Sequence, residues 1–338
     1  MKEVLYVLSS GSWLKKEGES IVVMREGKAC DRIPLSGLRR LVLLGRSSLS
    51  SGLLDFLVKK GVDTVFAAPD GRFRAVVTGD PGSHVERRMA QYRKLAGEET
   101  GREMTALLVA GKIRTMSAFL KQRSRALGDS ELARFALRIE ACTPLVEDRD
   151  PAKLRGLEGA ATRMYFQAFS RLIQNPAFAF TGRNRRPPRD PVNAMLSYLY
   201  TVLFSEVLSA ILTEGLDPWL GSLHELAPGR PALACDLMEE YRVFAVDRLV
   251  LTLLNRNGVQ PEDFEEKEDG EEGELSVRMT PKARHRLIAS WEKLLESRIP
   301  WPPEESPMKF RDLIRYQVRC FGHWLLENKP YNPFAWKA

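Results

Sequence analysis

The spacing of hydrophobic positions changes near residue 80 of this 338-residue chain. Before that point, short apolar runs rich in β-branched residues are separated by Gly, Ser and Asp, a pattern that predicts strands. The runs are EVLYVLSS, SIVVMREG, RLVLLG, DTVFAAPDG and FRAVVTG. The last two flank Pro69-Asp70-Gly71, which predicts a hairpin because Gly71 tolerates a positive φ angle. One stretch, SLSSGLLDFLVKKG, has helical spacing and is predicted to end at Gly61.

After the breaker cluster Gly79–Ser83, apolar positions recur at helical spacing over long stretches. An N-cap residue followed by proline marks a helix start at Asp150-Pro151, at Asp190-Pro191 and at Thr280-Pro281. Another helix is predicted from about Ala232 to Asn257. It is apolar around most of its circumference, so we expect it to be central and buried.

Together these patterns predict an α+β protein of two domains. A small N-terminal β-rich domain is expected at residues 1–80, followed by a larger all-α domain at residues 81–338. The composition, 44% hydrophobic and 28% charged, is that of a soluble globular protein. We expect no membrane span, because no apolar run approaches the ~20 residues required, and no signal peptide. The four cysteines lie far apart without a CxxC pair, which fits a cytoplasmic protein without a disulfide framework.

The net charge of +7 conceals an uneven distribution. Residues 262–274 hold nine acids and one lysine, so the rest of the chain carries an excess of 15 positive charges. Such an excess favours a polyanionic partner, because Lys and Arg neutralise phosphates and release counterions. The acidic segment itself is expected to be a solvated loop. Repulsion of DNA from one face and contact with a basic partner are the alternatives.

Three acids lie on the predicted helix 232–257 at positions i, i+3 and i+4. They are Asp236, Glu239 and Glu240, and in a regular helix they share one face near its N-terminal end. Burying acids against an apolar helix is costly unless a cation neutralises them, which favours a metal site. The alternative is an acid cluster favoured by the helix dipole, with Glu239 paired to Arg242. Spacing alone leaves both interpretations open.

His224 precedes Glu239 by fifteen positions, in a short segment between Gly and Pro residues. A histidine on a loop is free to face a metal ion. Carboxylates with one imidazole suit magnesium or manganese, although the ligand types also allow zinc. The other three histidines have no acid cluster near them in sequence and are expected to be structural or exposed.

A basic segment precedes the helix that starts at Pro191. Its four arginines are Arg183, Arg185, Arg186 and Arg189. Guanidinium groups on a backbone stiffened by two prolines suit phosphate contact, although a solvated basic loop has the same composition. Basic residues in the predicted helices at 87–94 and 112–125 add positive charge, which snorkelling side chains on the surface explain equally well.

Motifs of several other enzyme classes are missing from the sequence, including GxxxxGK[ST], GxGxxG, GxSxG and HExxH. Three other segments together resemble CRISPR-associated protein 1, the family that inserts new spacers into CRISPR arrays. They are GLEGAATRMYF at 156–166, RRPPRDPVNAMLSY at 185–198, and the stretch from Leu223-His224-Glu225 to DLMEEYR at 236–242. Their order and spacing match the family, and the resemblance covers nearly the whole chain.

The resemblance implies a dimerising β domain and a helical catalytic domain with metal ligands at Glu158, His224 and Glu239. Glu158 is expected about two turns inside the helix that starts after Asp150. Asp236 matches a supporting acid of the family. The cofactor would be Mg²⁺ or Mn²⁺. Attack by the 3′-hydroxyl of a short duplex on a phosphodiester would then join the two DNAs.

Roles of further residues are inferred only from their positions in the sequence. Arg163 and Arg242 lie near ligands in sequence and are expected either to contact the scissile phosphate or to neutralise buried acids. Tyr165 is expected to orient DNA. DNA contacts are expected at the four arginines of the basic segment and at Asn193.

The resemblance also implies a set of partners. These are double-stranded DNA as prespacer and as CRISPR repeat with leader, a second copy of the chain, CRISPR-associated protein 2, and an accessory nuclease that trims ends. Two competing hypotheses stay open at this point. One is a non-catalytic DNA-binding scaffold, and the other is a metal-dependent nuclease of branched DNA, which would use the same ligands with water as the nucleophile.

Overall fold

A computed structural model of the protein describes residues 3–69, 73–79, 84–143, 146, 148–184, 187–269, 274–301 and 306–335. The first part of the chain forms two four-stranded sheets. The first sheet contains, in spatial order, β1 (Val4–Val7), β5 (Arg40–Leu44), β7 (Asp63–Ala67) and β8 (Phe73–Val77). The second contains β4 (Lys28–Pro34), β3 (Ser20–Arg25), β2 (Trp13–Glu17) and β6 (Ser48–Leu49). Helix α1 (Ser51–Lys59) lies between β6 and β7 in the chain.

All five predicted strands are confirmed, and so is α1, which Ser50 caps at its N-terminus. Strands β7 and β8 pair in antiparallel fashion, as a hairpin requires, while the turn residues Asp70 and Gly71 lie outside the described residues. Strands β2, β4 and β6 were not predicted from the sequence. Strand β4 is the edge of its sheet and is exposed at nearly every position, so its sequence shows no apolar alternation.

Strand β5 is buried at every residue because it separates two cores. Leu41 and Leu43 pack between the two sheets, whereas Val42 and Leu44 face the core of the helical region. A parallel strand covered on both faces is continuously hydrophobic, which explains the run RLVLLG. The β-rich part therefore packs directly against the helices.

The rest of the chain is mainly helical. Its α-helices are α2 (Val85–Ala96), α3 (Glu98–Leu127), α4 (Ser130–Glu140), α5 (Pro151–Arg171), α6 (Pro191–Thr213), α7 (Ala232–Met238), α8 (Arg248–Asn255), α9 (Pro281–Leu295) and α10 (Phe310–Glu327). The predicted caps Asp150, Asp190 and Thr280 each accept a hydrogen bond from a backbone amide of the first turn. Helix α6 is long and apolar enough to cross a membrane, but 78% of its most apolar window is buried inside the protein. It is the central helix of the core.

The helix predicted from 232 to 257 is not continuous. Helix α7 ends at Met238, a turn follows, and residues Arg242–Asp247 form a π-helical segment that leads into α8. A π-helical segment shifts the register of the side chains that follow it, and such segments are frequent at functional sites. The interruption falls at the predicted metal ligand Glu239.

The acidic segment is not the expected solvated loop. It contributes β9 (Phe264–Asp269), which pairs with β10 (Glu274–Met279) in an antiparallel ribbon. Val277 and Met279 on β10 are buried, and the Val277 amide donates to the carbonyl of Pro188. A second ribbon joins β11 (Arg298–Ile299) and β12 (Met308–Lys309). The second part of the chain is thus predominantly helical but not all-α.

A buried ion network joins the two parts of the chain. Glu206 on α6 lies 2.7 Å from Arg40 of β5 and accepts a hydrogen bond of 3.2 Å from Tyr6 of β1. Arg311 of α10 lies 3.8 Å from the same carboxylate. The three charged side chains are at most 3% exposed. Residues 80–83 lie outside the described residues, so the division at residue 80 stays a prediction.

Replacing Glu206 by Gln keeps its shape and removes the charge that compensates Arg40, whereas Arg311 keeps its ion pair with Glu292. Because this leaves a buried cation short of a partner, we expect the free energy of unfolding to fall by about 3 kcal/mol. Urea unfolding followed by tryptophan fluorescence measures the change. Glu131→Gln, which breaks the exposed pair with Arg134 on α4, is the matched control and should cost less than about 1 kcal/mol. Equal losses from the two variants would contradict a structural role for the network.

Candidate functional site

Asp236, near the C-terminal end of α7, organises the loop that carries His224. Its fully buried carboxylate accepts hydrogen bonds from the amides of Ser222 (2.6 Å), Leu223 (3.0 Å) and His224 (3.0 Å). The ring Nδ1 of His224 lies 2.7 Å from Asp236 Oδ1. Because the carboxylate accepts, Nδ1 carries the proton and Nε2 presents a lone pair. The predicted support from Asp236 thus has a defined geometry.

Gly221 permits the close approach of this loop to α7. A Cβ atom at position 221 would lie 2.4 Å from Asp236 Oδ2 and 2.8 Å from the Leu233 amide nitrogen. Any side chain would therefore push the loop away from the carboxylate that holds it. The glycine at this position is the sequence signal of the close contact.

Glu239 follows α7 directly and is 3% exposed. Its Oε1 lies 2.9 Å from Arg242 Nη2, and its Oε2 lies 2.7 Å from the ammonium nitrogen of Lys112 on α3. Burial alone would raise the pKa of Glu239, but the positive charges of Arg242 and Lys112 lower that pKa to about 2. The carboxylate is therefore ionised at every pH at which the protein is expected to work.

Glu158 reaches the same ammonium from α5. Its Oε1 contacts Lys112 Nζ and accepts a hydrogen bond of 3.0 Å from the hydroxyl of Thr162 one turn later. The Glu158 side chain is 26% exposed, so this side of the cluster is open to solvent. One carboxylate on helix α5 and one in the turn after α7 thus meet at one buried cation.

The structure brings the predicted ligands Glu158 and Glu239 together at Lys112, and Asp236 holds the loop that carries His224. In the part of the chain that the structure describes, no three His, Cys, Asp or Glu side chains are placed to hold a metal as they stand. The ammonium of Lys112 takes the central position instead. The donor set fits a divalent ion, because it offers two carboxylates and one imidazole nitrogen.

Glu240 does not share a face with Glu239 and Asp236, as a regular helix would require. It points away from the site and accepts hydrogen bonds from the Phe334 amide (2.7 Å) and from the hydroxyl of Tyr331. Burial raises the pKa of Glu240 to about 7. The helix ends between these acids, so neighbouring residues serve different parts of the protein.

Lys112 was not predicted as a site residue. The sequence grouped it with surface lysines and arginines, yet it is 5% exposed and lies among buried residues of α3. The signal was available, because Lys112 lies three positions after Val109 and four before Met116, both of them buried. A lysine at a core position of an amphipathic helix indicates a buried acidic partner.

Tyr165 is not placed to orient DNA. It is 1% exposed, and its hydroxyl donates a hydrogen bond of 2.8 Å to Asp247, which also accepts one of 2.5 Å from Tyr200. The ring of Tyr200 in turn lies 4.8 Å from the guanidinium carbon of Arg242. Tyr165 therefore supports the site from inside the core.

Hydrogen bonds within the protein hold part of the basic segment in place. Asn193 is fully buried; its amide group donates to the Gly182 carbonyl (2.9 Å) and its oxygen accepts from Arg183 (2.7 Å). Its polar atoms hold the segment to the start of α6, and the expected DNA contact at Asn193 stays a prediction. Arg183 is held by the protein as well, whereas Arg189 is exposed. Arg185 and Arg186 lie outside the described residues.

The two arginines near the ligands differ in their surroundings. Arg242 is 16% exposed and pairs with Glu239, so it neutralises a buried acid, as one of the two alternatives expected. Arg163 is exposed on α5, five residues after Glu158. It is the one of the pair with a surface that a phosphate can reach.

Comparisons with known proteins show the family of this chain. A model of the family described as CRISPR associated protein Cas1 matches residues 5–293. The CRISPR-associated endonuclease Cas1 3 of Thermus thermophilus is 36% identical over 335 residues, which cover 98% of this chain and 97% of that protein. A CRISPR-associated exonuclease Cas4/endonuclease Cas1 fusion of Rhodospirillum rubrum is 34% identical, and the match covers 97% of this chain and 57% of the fusion.

Solved structures show the same fold. A casposase bound to its integration product superposes with a TM-score of 0.86 at 21% identity, covering all of this chain and 94% of that one. A chain of a Cas6-RT-Cas1–Cas2 complex gives a TM-score of 0.85 at 22% identity; the match covers 99% of this chain and 36% of that longer chain. The likeness confirms the predicted α+β fold of a strand-rich part followed by a helical part.

The buried carboxyl of Asp247 gives a testable pH dependence. Burial raises the pKa of Asp247 to about 6, against the lowering effect of its bonds from Tyr200 and Tyr165. As pH rises, the unfolded chain ionises first, near pH 4, while the native carboxyl keeps its proton until about pH 6. Native stability therefore falls across this window by about 3 kcal/mol and stays lower above it.

Asp247→Asn removes this titration, since the amide can still bond both tyrosines. We expect the stability of wild type relative to Asp247→Asn to decrease by about 3 kcal/mol between pH 4 and pH 7. Urea unfolding of both proteins at a series of pH values tests this. A difference in the free energy of unfolding that stays constant across the pH series would contradict the elevated pKa of Asp247.

Proposed function

The chain belongs to the Cas1 family of CRISPR-associated proteins, and we propose that it is a metal-dependent integrase that inserts short DNA duplexes into a CRISPR array. The observation that carries this proposal is the meeting of Glu158 and Glu239 at one cation, beside a histidine whose Nε2 is kept available. An arrangement of this kind suits phosphodiester chemistry assisted by Mg²⁺ or Mn²⁺. The names of the relatives support an endonuclease activity.

In the proposed reaction, the 3′-hydroxyl of a short duplex attacks a phosphodiester at the border of the repeat. A bond forms between the attacking oxygen and phosphorus, and the bond from phosphorus to the repeat's own 3′-oxygen breaks. A divalent ion held by Glu158, Glu239 and His224 Nε2 would supply positive charge for the attacking oxygen and the phosphate. No protein nucleophile is required.

The chain's own residues keep these groups in their reactive state. Asp236 holds the Nδ1 proton of His224 and fixes the orientation of the ring. Arg242 pairs with Glu239 and favours its ionised form. Arg163 is exposed on α5, and the proposal assigns it to a DNA phosphate.

The proposed partners follow from the same chemistry. The substrates are double-stranded DNA, as prespacer and as repeat with leader, and Arg189 lies exposed in the basic segment beside α6. The complex that contains Cas1 and Cas2, and the relative fused to Cas4, support a Cas2-type partner and an exonuclease that trims ends. A homodimer and a cytoplasmic location complete the proposal, and the four described cysteines are all free thiols.

Three substitutions test the ligand set. Glu158→Ala, His224→Ala and Glu239→Ala should each reduce strand transfer by at least about 10³-fold, because each removes a donor to the catalytic ion. The assay combines protein, its small partner, Mn²⁺ or Mg²⁺, a 3′-hydroxyl duplex and a supercoiled repeat plasmid, and it detects joined products. DNA affinity, measured by fluorescence anisotropy without divalent ions, should stay within about threefold of wild type, since none of the three substitutions removes a phosphate contact.

The same assay separates the competing functions. Joining by a purified Glu158→Ala protein would exclude the proposed mechanism and favour a DNA-binding scaffold. Plasmid cleavage by wild type without joined products would favour a nuclease that uses water.

Asp236→Asn tests the role of the acid behind His224. Asparagine keeps the size, but it can present its oxygen to the backbone amides only by weakening its contact with Nδ1, so the imidazole loses its orientation. Strand transfer should fall by roughly 10- to 100-fold, the usual effect of losing such a supporting group. Higher Mn²⁺ concentration should recover part of the loss. A variant with unchanged activity at low Mn²⁺ would argue against this role.

A further inference from the structure

Lys112 is the most deeply buried lysine in the part of the chain that the structure describes. Its ammonium lies 2.7 Å from Glu239 Oε2 and contacts Glu158 Oε1 at the same time. These are the carboxylates that the proposed function assigns to the divalent ion. A side chain of this protein therefore occupies the centre of charge of its own candidate metal site.

The ammonium and a divalent ion cannot share these oxygens. An ion coordinated at about 2.1 Å from each carboxylate would lie within roughly 4 Å of Lys112 Nζ. Repulsion between like charges at such a distance is severe in a buried site. One cation must leave when the other arrives.

The backbone beside Lys112 is closely packed, so we assign the movement to the side chain. A Cβ atom at the preceding Gly111 would lie 3.0 Å from the Pro333 side chain, and Ile113 is fully buried. Lysine suits this arrangement, because its charge is compact and its four-carbon stem is flexible, unlike the planar group of arginine. Solvent reaches the cluster beside Glu158, which is 26% exposed, and His224, which is 21% exposed.

We propose that Lys112 is a built-in counter-cation that holds Glu158 and Glu239 together before metal binds, and that the metal displaces its ammonium toward the open side of the site, onto a DNA phosphate. The inference rests on the proposed function. Metal binding and DNA binding then favour each other, because the released ammonium gains a phosphate partner only when DNA is present. Without DNA, displacement leaves the charge unpaired and metal binding is weak.

A purely structural ion pair makes the opposite prediction. If Lys112 only positions the carboxylates, its removal leaves two buried anions that repel each other. The ligands would then separate, and metal binding would weaken. The direction of the change in metal affinity therefore decides between the two roles.

The test measures Mn²⁺ binding directly by electron paramagnetic resonance of the free ion, for wild type and Lys112→Met, with and without a 3′-hydroxyl duplex. We expect Lys112→Met to bind Mn²⁺ at least about tenfold more tightly than wild type without DNA, within the usual range of coupling between sites. In wild type, the duplex should tighten Mn²⁺ binding by about tenfold, and in Lys112→Met by less than about twofold. Mn²⁺ should also raise the melting temperature more in the variant.

Lys121→Met is the matched control. Lys121 lies on the same helix α3 and pairs with Glu140 at 2.6 Å, outside the site. The Lys121→Met protein should therefore bind Mn²⁺ with the affinity of wild type. Lys112→Gln, which keeps a hydrogen-bonding group beside the carboxylates, replaces Lys112→Met if the latter does not fold without metal. Both Lys112 variants should show the same direction of change.

The outcomes separate this inference from the proposed function. Unchanged or weaker Mn²⁺ binding by both Lys112 variants, with wild type still binding Mn²⁺ and joining DNA, would overturn the displacement alone. Wild-type Mn²⁺ binding that Glu158→Gln leaves intact, or joining without metal, would overturn the proposed function and the displacement with it.

Discussion

The buried charge of Glu239 is the constraint on which the arrangement of the site depends. Its carboxylate is nearly inaccessible to solvent, and burial alone would drive it to the neutral form. Arg242 and Lys112, from different elements, keep it ionised. Helix α3, which has no other obvious part in catalysis, is tied to the centre because it supplies one of these cations. The positions of three elements thus follow from one requirement for charge balance.

The interruption after α7 gives neighbouring residues different functions. A continuous helix would place Asp236, Glu239 and Glu240 on one face, and three buried acids would then compete for the same cations. The break sends Glu240 to the C-terminal segment, where Tyr331 and the Phe334 amide bind it. Asp236 stays with His224, and Glu239 stays with the cations. Separating these acids requires an irregular backbone, and this irregular backbone lies beside the proposed metal ligand Glu239.

Much of this structure could be predicted from sequence, within physical limits. Local signals located the five strongest strands, the capped helices and Glu158 on α5, because caps and periodicity act between near neighbours. The roles of Tyr165, Asn193 and Lys112 depend on contacts across 82, 11 and 46 residues, which periodicity does not encode. Asn193 lies in a motif that resembles the family, yet its polar atoms serve the fold. Resemblance indicated the candidate ligands and the support from Asp236, and geometry added the contacts of Tyr165, Asn193 and Lys112.

The protein contains two buried charge clusters, and the cations in them distinguish the two. In the first cluster, the carboxylate of Glu206 meets two arginines, Arg40 and Arg311, and Arg311 also binds Glu292. Such a network fixes the β-rich part against the helices. In the second cluster, the carboxylates of Glu158 and Glu239 share the single ammonium of Lys112, and the partly exposed side chains of Glu158 and His224 open the cluster to solvent. Two acids that share one flexible lysine beside an opening to solvent indicate a site where cations exchange.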